Sequence, residues 1–290
     1  MAFRMYAIRS IPRSLAPNDE EVPSSLWNLD YVFVVNDQTF VLPSHLSSYL
    51  GLVGASPDEP LYLGHPLSNP INIIFNIGSA GYVMSRNTLG KVASYFGREK
   101  GPCAHIVGGV QSQNINLGFL KKNPALVLAK CLSDMGVIAV DSRDAENRHV
   151  FHSYSVAKLY MGKVDDWYIN RHQGLDGKLL EMPSTVNSTR TPMMEHPLGT
   201  KCCSVNTISF HYVEDRETIT LWEMRRWLLQ RRENVPSLQE LDNFVMNYWP
   251  KNPVSLGWYG QSPPTNTNKD IETNYDIDFL TLVRDILSQP

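Results

Sequence analysis

Short apolar runs alternate with amphipathic segments along most of the chain. Tyr31–Val35 is a continuous run of β-branched and aromatic residues, which predicts a buried parallel strand. Pro43–Leu52 and Arg86–Phe96 have the composition of helices, and Ser85 is a suitable N-cap for the second. The alternation of strands with helices predicts an α/β fold.

The same pattern continues into the second half of the chain. Further predicted elements are the strands Leu61–Leu63, Val137–Val140 and Asn206–Val213, a strand within Phe75–Met84, and the helices Ala125–Met135 and Glu217–Arg231. Met1–Arg13 has partial helical periodicity that Pro12 would end, and Leu238–Asn247 and Asp276–Ser288 are weak helices. Residues 1–26, 27–232 and 233–290 are therefore predicted as an N-terminal helix and loop, a main domain and a C-terminal extension.

Composition excludes few classes of protein. A chain of 290 residues can bury a sizeable core, and its net charge of −3 provides no basic field for nucleic acid. No stretch of about 18 apolar residues occurs. Four cysteines would suit a reduced compartment on composition alone, although Asn187-Ser188-Thr189 is a glycosylation sequon.

The segment Cys202–Val213 carries the most distinctive chemistry. An adjacent cysteine pair precedes a strand-forming run that ends in Phe210-His211-Tyr212. A histidine at the end of a strand is well placed to ligate a metal, although spacing alone favours a buried core histidine. The other histidines have no ligand spacing; His65 and His172 stand alone and are interpreted as surface or core residues.

Several blocks of the sequence resemble the core 1 β1,3-galactosyltransferases of glycosyltransferase family 31. Cys202–Val213 is similar to that family's double cysteine followed by Ser-Phe-His-Tyr-Val. Asp141–His152, Gly78–Ser85 and Asp58–Gly64 resemble three further blocks, in the same order. The resemblance extends from about Trp27 to about Leu229.

This resemblance implies a fold, a reaction and a compartment. The fold would be the single-domain, Rossmann-like glycosyltransferase A fold, apparently without its first strand–helix units, as in a fragment or a reduced domain. The reaction would transfer galactose from UDP-galactose, with manganese, to protein-linked N-acetylgalactosamine (GalNAc). The family's proteins are membrane-associated in the Golgi or endoplasmic reticulum lumen, and this chain shows no anchor. The resemblance also implies disulfides at Cys103, Cys131, Cys202 and Cys203.

The family's metal motif is changed in this chain. Asp-Asp-Asp-Thr-Tyr-Val corresponds here to Asn36–Val41, so that Asn36 and Gln38 replace two carboxylates and Asp37 remains. Because amide oxygens carry no charge, a divalent ion should bind weakly. Asp37 and His211 are the remaining candidate ligands, and Asp37 also suits a solvated turn or cap. Asp165-Asp166 is a displaced alternative.

The position of the catalytic base is also changed. The family's Glu-Asp pair falls on Pro124 and Ala125, neither of which can accept a proton. Asp134 and Asp141 are the nearest acids that could replace it. Arg143 and Asp144 would form a structural ion pair.

Three aromatic positions match residues that bind donor or acceptor in the family, namely Tyr82, Trp167 and Tyr212. For Tyr82 and Tyr212 a core role is an equally simple interpretation. The chain is therefore predicted as a weakly active or inactive galactosyltransferase relative. The alternatives are a non-catalytic chaperone-like paralogue and a lectin-like binding module. Expected partners are an O-GalNAc glycoprotein or an active galactosyltransferase, in a homodimer or heterodimer.

Overall fold

The computed structural model describes residues 29–69, 72–95, 101, 103, 123–172, 175, 178–179, 197–213, 218–231, 236–237, 239–241, 243–244 and 278–289. For residues 3–8, 215–217 and 277 it describes the backbone alone. Of the helices within these ranges, none combines the length and the apolarity needed to span a lipid bilayer.

The described elements form a mixed α/β structure. The strands are β1 Phe3–Ile8, β2 Tyr31–Asn36, β3 Thr39–Val41, β4 Tyr62–Gly64, β5 Pro66–Ser68, β6 Ile74–Asn76, β7 Tyr82–Ser85, β8 Phe151–His152 and β9 Ser209–His211. The helices are α1 Pro43–Leu52, α2 Arg86–Tyr95, α3 Pro124–Asp134, α4 Val156–Tyr160, α5 Asp166–Asn170, α6 Asp215–Gln230 and α7 Ile277–Leu287, with a 3₁₀ turn at Gly199–Lys201.

The strands form three small sheets. The largest has the order β1-β2-β7-β4, the second has the order β3-β9-β8, and β5 pairs with β6. Every pairing in the largest sheet is antiparallel. The prediction of a parallel strand at Tyr31–Val35 is therefore wrong in direction, although the run is buried as expected. A continuous apolar run indicates that both faces of a strand are covered, but it does not indicate the direction of the neighbouring strands.

The N-terminal helix prediction is also wrong, because β1 forms where Met1–Arg13 was expected to be helical. All six residues of β1 pair with β2, from Phe3 opposite Asn36 to Ile8 opposite Tyr31. A weak helical periodicity is overridden when the edge of an existing sheet offers a full ladder of hydrogen bonds.

Most helix predictions are confirmed, because their start signals act locally. Helix α1 begins at Pro43, and α3 begins after Asn123, whose side chain accepts hydrogen bonds from Ala125 N and Leu126 N. Ser85 Oγ accepts a hydrogen bond from Thr88 N at 3.3 Å at the start of α2. The predicted strand at Val137–Val140 is reduced to a bridge between Ala139 and Tyr62.

Helix α7 belongs to the same core as the rest of the described chain. Its apolar face is buried in a cluster that also contains residues of α3, α4 and α6. The residues involved are Phe279, Leu280, Leu282, Val283, Ile286 and Leu287. The end of the predicted C-terminal extension therefore packs against the predicted main domain.

Both cysteine pairs are joined. Cys103 is bonded to Cys131 in α3, with their Cα atoms 4.7 Å apart, within the 4.4–6.8 Å that disulfides usually span. The neighbours Cys202 and Cys203 are bonded to each other. All four side chains are fully buried.

Gly81→Ala is expected to destabilise the protein by about 3 kcal/mol or more. Gly81 has φ +81°, and a Cβ atom there would lie 2.6 Å from Phe33 Cε2 and 2.7 Å from Val35 Cγ1, inside the β-sheet core. Gly78→Ala is the matched control, since a Cβ there meets nothing within 4 Å. Urea unfolding of both variants and the wild type measures the differences in unfolding free energy. Equal unfolding free energies for the two variants would contradict this packing.

Candidate functional site

Strands β3 and β9 bring the changed metal motif and the His211 segment together. They pair antiparallel with Thr39 opposite His211, and Val213 N donates a hydrogen bond to Gln38 O at 3.3 Å. Asp37 lies in the exposed turn just before β3, and its charge acts on the imidazole of His211. The sequence-predicted neighbours Asp37 and His211 therefore lie at the same end of adjacent strands.

Asn36 serves the turn between β2 and β3. Its buried Oδ1 accepts a hydrogen bond from Gln38 N at 3.1 Å and lies 2.6 Å from the Thr39 hydroxyl. That hydroxyl is also 3.1 Å from Ser79 O and 3.5 Å from His211 Nδ1. The Asn36 oxygen is thus engaged with backbone and hydroxyl donors, while the Gln38 side chain is exposed to solvent.

His211 is held in its neutral form. Burial lowers its pKa to about 4, and the positive charge of Lys158 acts in the same direction, while the hydrogen bond with Gln38 and the charge of Asp37 oppose them. A neutral imidazole is the form that can ligate a metal or accept a hydrogen bond at neutral pH. The environment of His211 therefore keeps a lone pair available beside an exposed carboxylate.

Lys158 in α4 is a member of this site that the sequence did not suggest. Its ammonium lies 5.1 Å from the centroid of the Tyr212 ring, close enough for a cation–π contact. Residues of α4 and Phe210 of β9 are buried in the same apolar cluster, and no local sequence pattern predicts that Lys158 lies beside Tyr212. We call Asp37, Lys158, His211 and Tyr212 the Asp37–His211 cluster.

Tyr212 has the exposure of a binding residue. Half of its surface is open to solvent, its ring centroid is 4.1 Å from that of His211, and its φ of +55° is uncommon outside glycine. Exposure excludes the core role that the sequence left open for it. The ring therefore presents an apolar face beside the Lys158 ammonium.

Trp167 reaches this cluster through a line of aromatic rings. Trp167 in α5 is 49% exposed and contacts Tyr168, which contacts Tyr154, which in turn contacts Tyr212, with centroids 5.9, 4.9 and 5.9 Å apart. Tyr82 packs instead on Tyr62 at 5.7 Å, and burial raises the pKa of Tyr82 to about 12. The described contacts thus connect Trp167 with Tyr212 and place Tyr82 against a core tyrosine.

The base position is occupied by the first turn of α3. Pro124 and Ala125 follow the cap Asn123 and carry no proton acceptor in their side chains. Of the two nearby acids, Asp134 pairs with Lys130, and buried Asp141 accepts from Arg143 Nε at 3.1 Å and Nη2 at 2.8 Å. Both carboxylates are thus engaged by cations.

Two further predictions are changed by the observed pairing. Arg143 was expected to pair with Asp144, but Arg143 pairs with Asp141, and Asp144 accepts from Arg148 Nε at 2.9 Å. In the alternative acidic pair, Asp165 accepts a hydrogen bond from the Tyr154 hydroxyl at 2.7 Å and occupies the N-cap position of α5 without a side-chain capping bond. Asp165-Asp166 therefore lies at a helix start, away from any buried strand end.

Comparison with known proteins finds a distant relative. No protein-family model matches the chain. Over 222 residues the chain is 28% identical to glycoprotein-N-acetylgalactosamine 3-beta-galactosyltransferase 1 of Xenopus laevis. This alignment covers 74% of the chain and 51% of the frog protein. The chain spans about half the length of this curated relative. The chain is thus distantly similar to a β1,3-galactosyltransferase, which agrees with the predicted resemblance.

Proposed function

We propose that this protein is a galactosyltransferase-like protein that binds a UDP-sugar at the Asp37–His211 cluster and transfers galactose slowly or not at all. By the resemblance, the donor is UDP-galactose and the acceptor is an O-GalNAc glycoprotein. The observation that carries the proposal is the pairing of Thr39 with His211, which unites the two segments that resemble the family's metal-binding elements.

The residues of the cluster do not fit a manganese site of the family's type. Asp37 is the one carboxylate left in the motif, and the buried Asn36 oxygen is already engaged by the turn. Hard divalent cations prefer several charged oxygen ligands, and the nearby Lys158 ammonium repels a cation. We therefore assign no step to a metal ion.

Lys158 provides a different way to hold the donor. An ammonium is a suitable partner for a diphosphate, and the exposed ring of Tyr212 beside it offers a face for a base or a sugar. His211, neutral and buried beside the ring, can exchange hydrogen bonds with a sugar hydroxyl once the donor sits over Tyr212. The cluster is thus chemically suited to bind a nucleotide sugar without a metal.

Lys158→Ala is expected to weaken UDP binding about tenfold, because one charge-assisted contact with the diphosphate is lost. Isothermal titration of UDP into the purified protein, once with manganese and once with EDTA, measures the affinity. Lys163→Ala, an exposed lysine after the same helix, is the matched control and should leave the affinity unchanged. Wild-type binding that disappears in EDTA would contradict the metal-free mode, and a lack of UDP binding in both conditions would contradict the proposed function.

A chaperone-like role is the second candidate, and the apolar base position favours it. Pro124 and Ala125 are compatible with folding and unsuited to catalysis. In this role the protein would associate with an active galactosyltransferase, and the two buried disulfides fit a Golgi or endoplasmic reticulum lumen. Co-purification with a galactosyltransferase, together with unchanged UDP affinity in Lys158→Ala, would favour this role over donor binding.

A further inference from the structure

Three histidines from distant parts of the chain meet in the core. His65 follows β4, His149 precedes β8, and His172 follows α5. Each side chain is at most 1% exposed, and one ring nitrogen of each lies within 4.8 Å of the others. We call these residues the histidine cluster. The spacing of the histidines in the sequence had predicted that His65 and His172 stand alone.

The backbone fixes the protonation of two of these rings. His65 Nδ1 lies 2.7 Å from Phe151 O, and His172 Nδ1 lies 2.9 Å from Tyr168 O. A carbonyl oxygen only accepts hydrogen bonds, so both Nδ1 atoms carry protons. In the neutral rings, both Nε2 atoms therefore present lone pairs.

These two lone pairs face each other. His65 Nε2 and His172 Nε2 are 2.7 Å apart, and the Tyr168 hydroxyl is 3.0 Å from His65 Nε2. Two acceptors at this distance need a positive species between them, either a proton or a cation. The positive charge of Arg143 also acts on the His172 ring.

We propose that His65, His149 and His172 form a structural site for a divalent transition-metal ion, with zinc as the expected occupant. Imidazole nitrogen suits zinc better than it suits manganese or magnesium, which prefer oxygen. The Nδ1–carbonyl hydrogen bonds are the supporting contacts that metal-binding histidines commonly make. Nothing in this assignment depends on the proposed galactosyltransferase-like function.

The geometry requires a small adjustment. Two nitrogens on one tetrahedral zinc ion lie ~3.4 Å apart, given a Zn–N distance of about 2.0–2.1 Å. The Nε2 atoms of His65 and His172 would therefore move apart by a fraction of an ångström on binding. The Tyr168 hydroxyl, 3.0 Å from His65 Nε2, borders the site. The charge of Arg143 is offset by its buried partner Asp141.

A metal here would join three parts of the fold. It would hold the end of β4 and the start of β8 to the end of α5, the helix that carries Trp167. The backbone of His149 also forms an isolated parallel β-bridge with Cys203, which belongs to the Cys202–Cys203 disulfide. Because the side chains are almost fully buried, the site is closed and its role would be structural rather than catalytic.

The full chain, produced without a histidine tag, is the material for the test. Mass spectrometry of the metals should find about one zinc per protein molecule. Removal of the zinc by a chelator should lower the melting temperature by about 5 °C, and addition of zinc should restore it. Cobalt added to the metal-free protein should give the absorption bands of a tetrahedral site.

His149→Gln and His172→Gln should each lose the zinc and the chelator response. His45→Gln is the matched control, because His45 is also buried and bonds a backbone carbonyl, Thr207 O at 2.7 Å, outside the cluster. If the variants do not fold, the metal content and the cobalt spectrum of the wild-type protein still decide whether the site binds a metal. Metal-free wild-type protein whose melting temperature is unchanged by zinc, or zinc retained by both variants, would overturn the proposal.

Discussion

Galactose transfer from UDP-galactose to a GalNAc-bearing peptide is expected to be at least ~10²–10⁴-fold slower than in an enzyme with a general base, even with excess manganese. The position of the base is Ala125 or Pro124, and Asp134 and Asp141 are engaged by Lys130 and Arg143. Product formation measured by mass spectrometry tests this. Turnover of ~1 s⁻¹ or faster in the unmodified chain would contradict it.

Asn36→Asp, Gln38→Asp and Ala125→Asp together are expected to be needed for a gain in transfer. The structure tolerates all three changes. A carboxylate at position 36 accepts the same bonds from Gln38 N and the Thr39 hydroxyl, position 38 is exposed, and position 125 is in the first turn of α3, where negative charge is favourable. Ala125→Asn in the same background is the uncharged control. A gain with this control equal to that with Ala125→Asp would argue against a base at this position.

Arg225→Ala is expected to lower the free energy of unfolding by about 3 kcal/mol. Arg225 in α6 is 4% exposed, and its Nη1 donates to Leu287 O and Gln289 O at 2.9 Å, while Nη2 donates to Ser44 Oγ at 2.7 Å. Truncation removes these charge-assisted bonds and leaves buried carbonyl oxygens unsatisfied. It would therefore loosen the end of α7 from α1 and α6.

Arg226→Ala is the matched control for this prediction. Arg226 is the next residue of the same helix, is exposed, and pairs with the partly buried Glu223. Its loss should change stability by no more than about 0.5 kcal/mol. Denaturant unfolding of both variants, followed by circular dichroism, measures the difference. Equal stability of the two variants would show that the tail after α6 contributes little to the fold.

The candidate site was predictable in part. The sequence placed Asp37 and His211 in motif segments, and the pairing of β3 with β9 brings those segments together. Lys158 could not be predicted, because its place beside Tyr212 depends on how α4 packs. The metal and base substitutions at Asn36, Gln38 and Ala125 were visible in the sequence alone, whereas the use of the Asn36 oxygen in the turn was not.

Local signals determined the helices of this protein. Pro43, Asn123 and Ser85 start α1, α3 and α2 through fixed φ angles or hydrogen bonds to residues within the first turn. Buried strands such as Tyr31–Asn36 were also evident, since continuous apolar runs require burial. These features depend on residues only a few positions apart, so the sequence by itself contained them.

Only the tertiary structure decided the strand partners and the histidine cluster. The direction of a strand depends on which edges meet, and Phe3–Ile8 became a strand because the edge of β2 was available. His65, His149 and His172 lie far apart in the chain and follow or precede different elements. Their proximity results from packing of β4, β8 and α5, and no spacing rule within one segment can express a contact made between three segments.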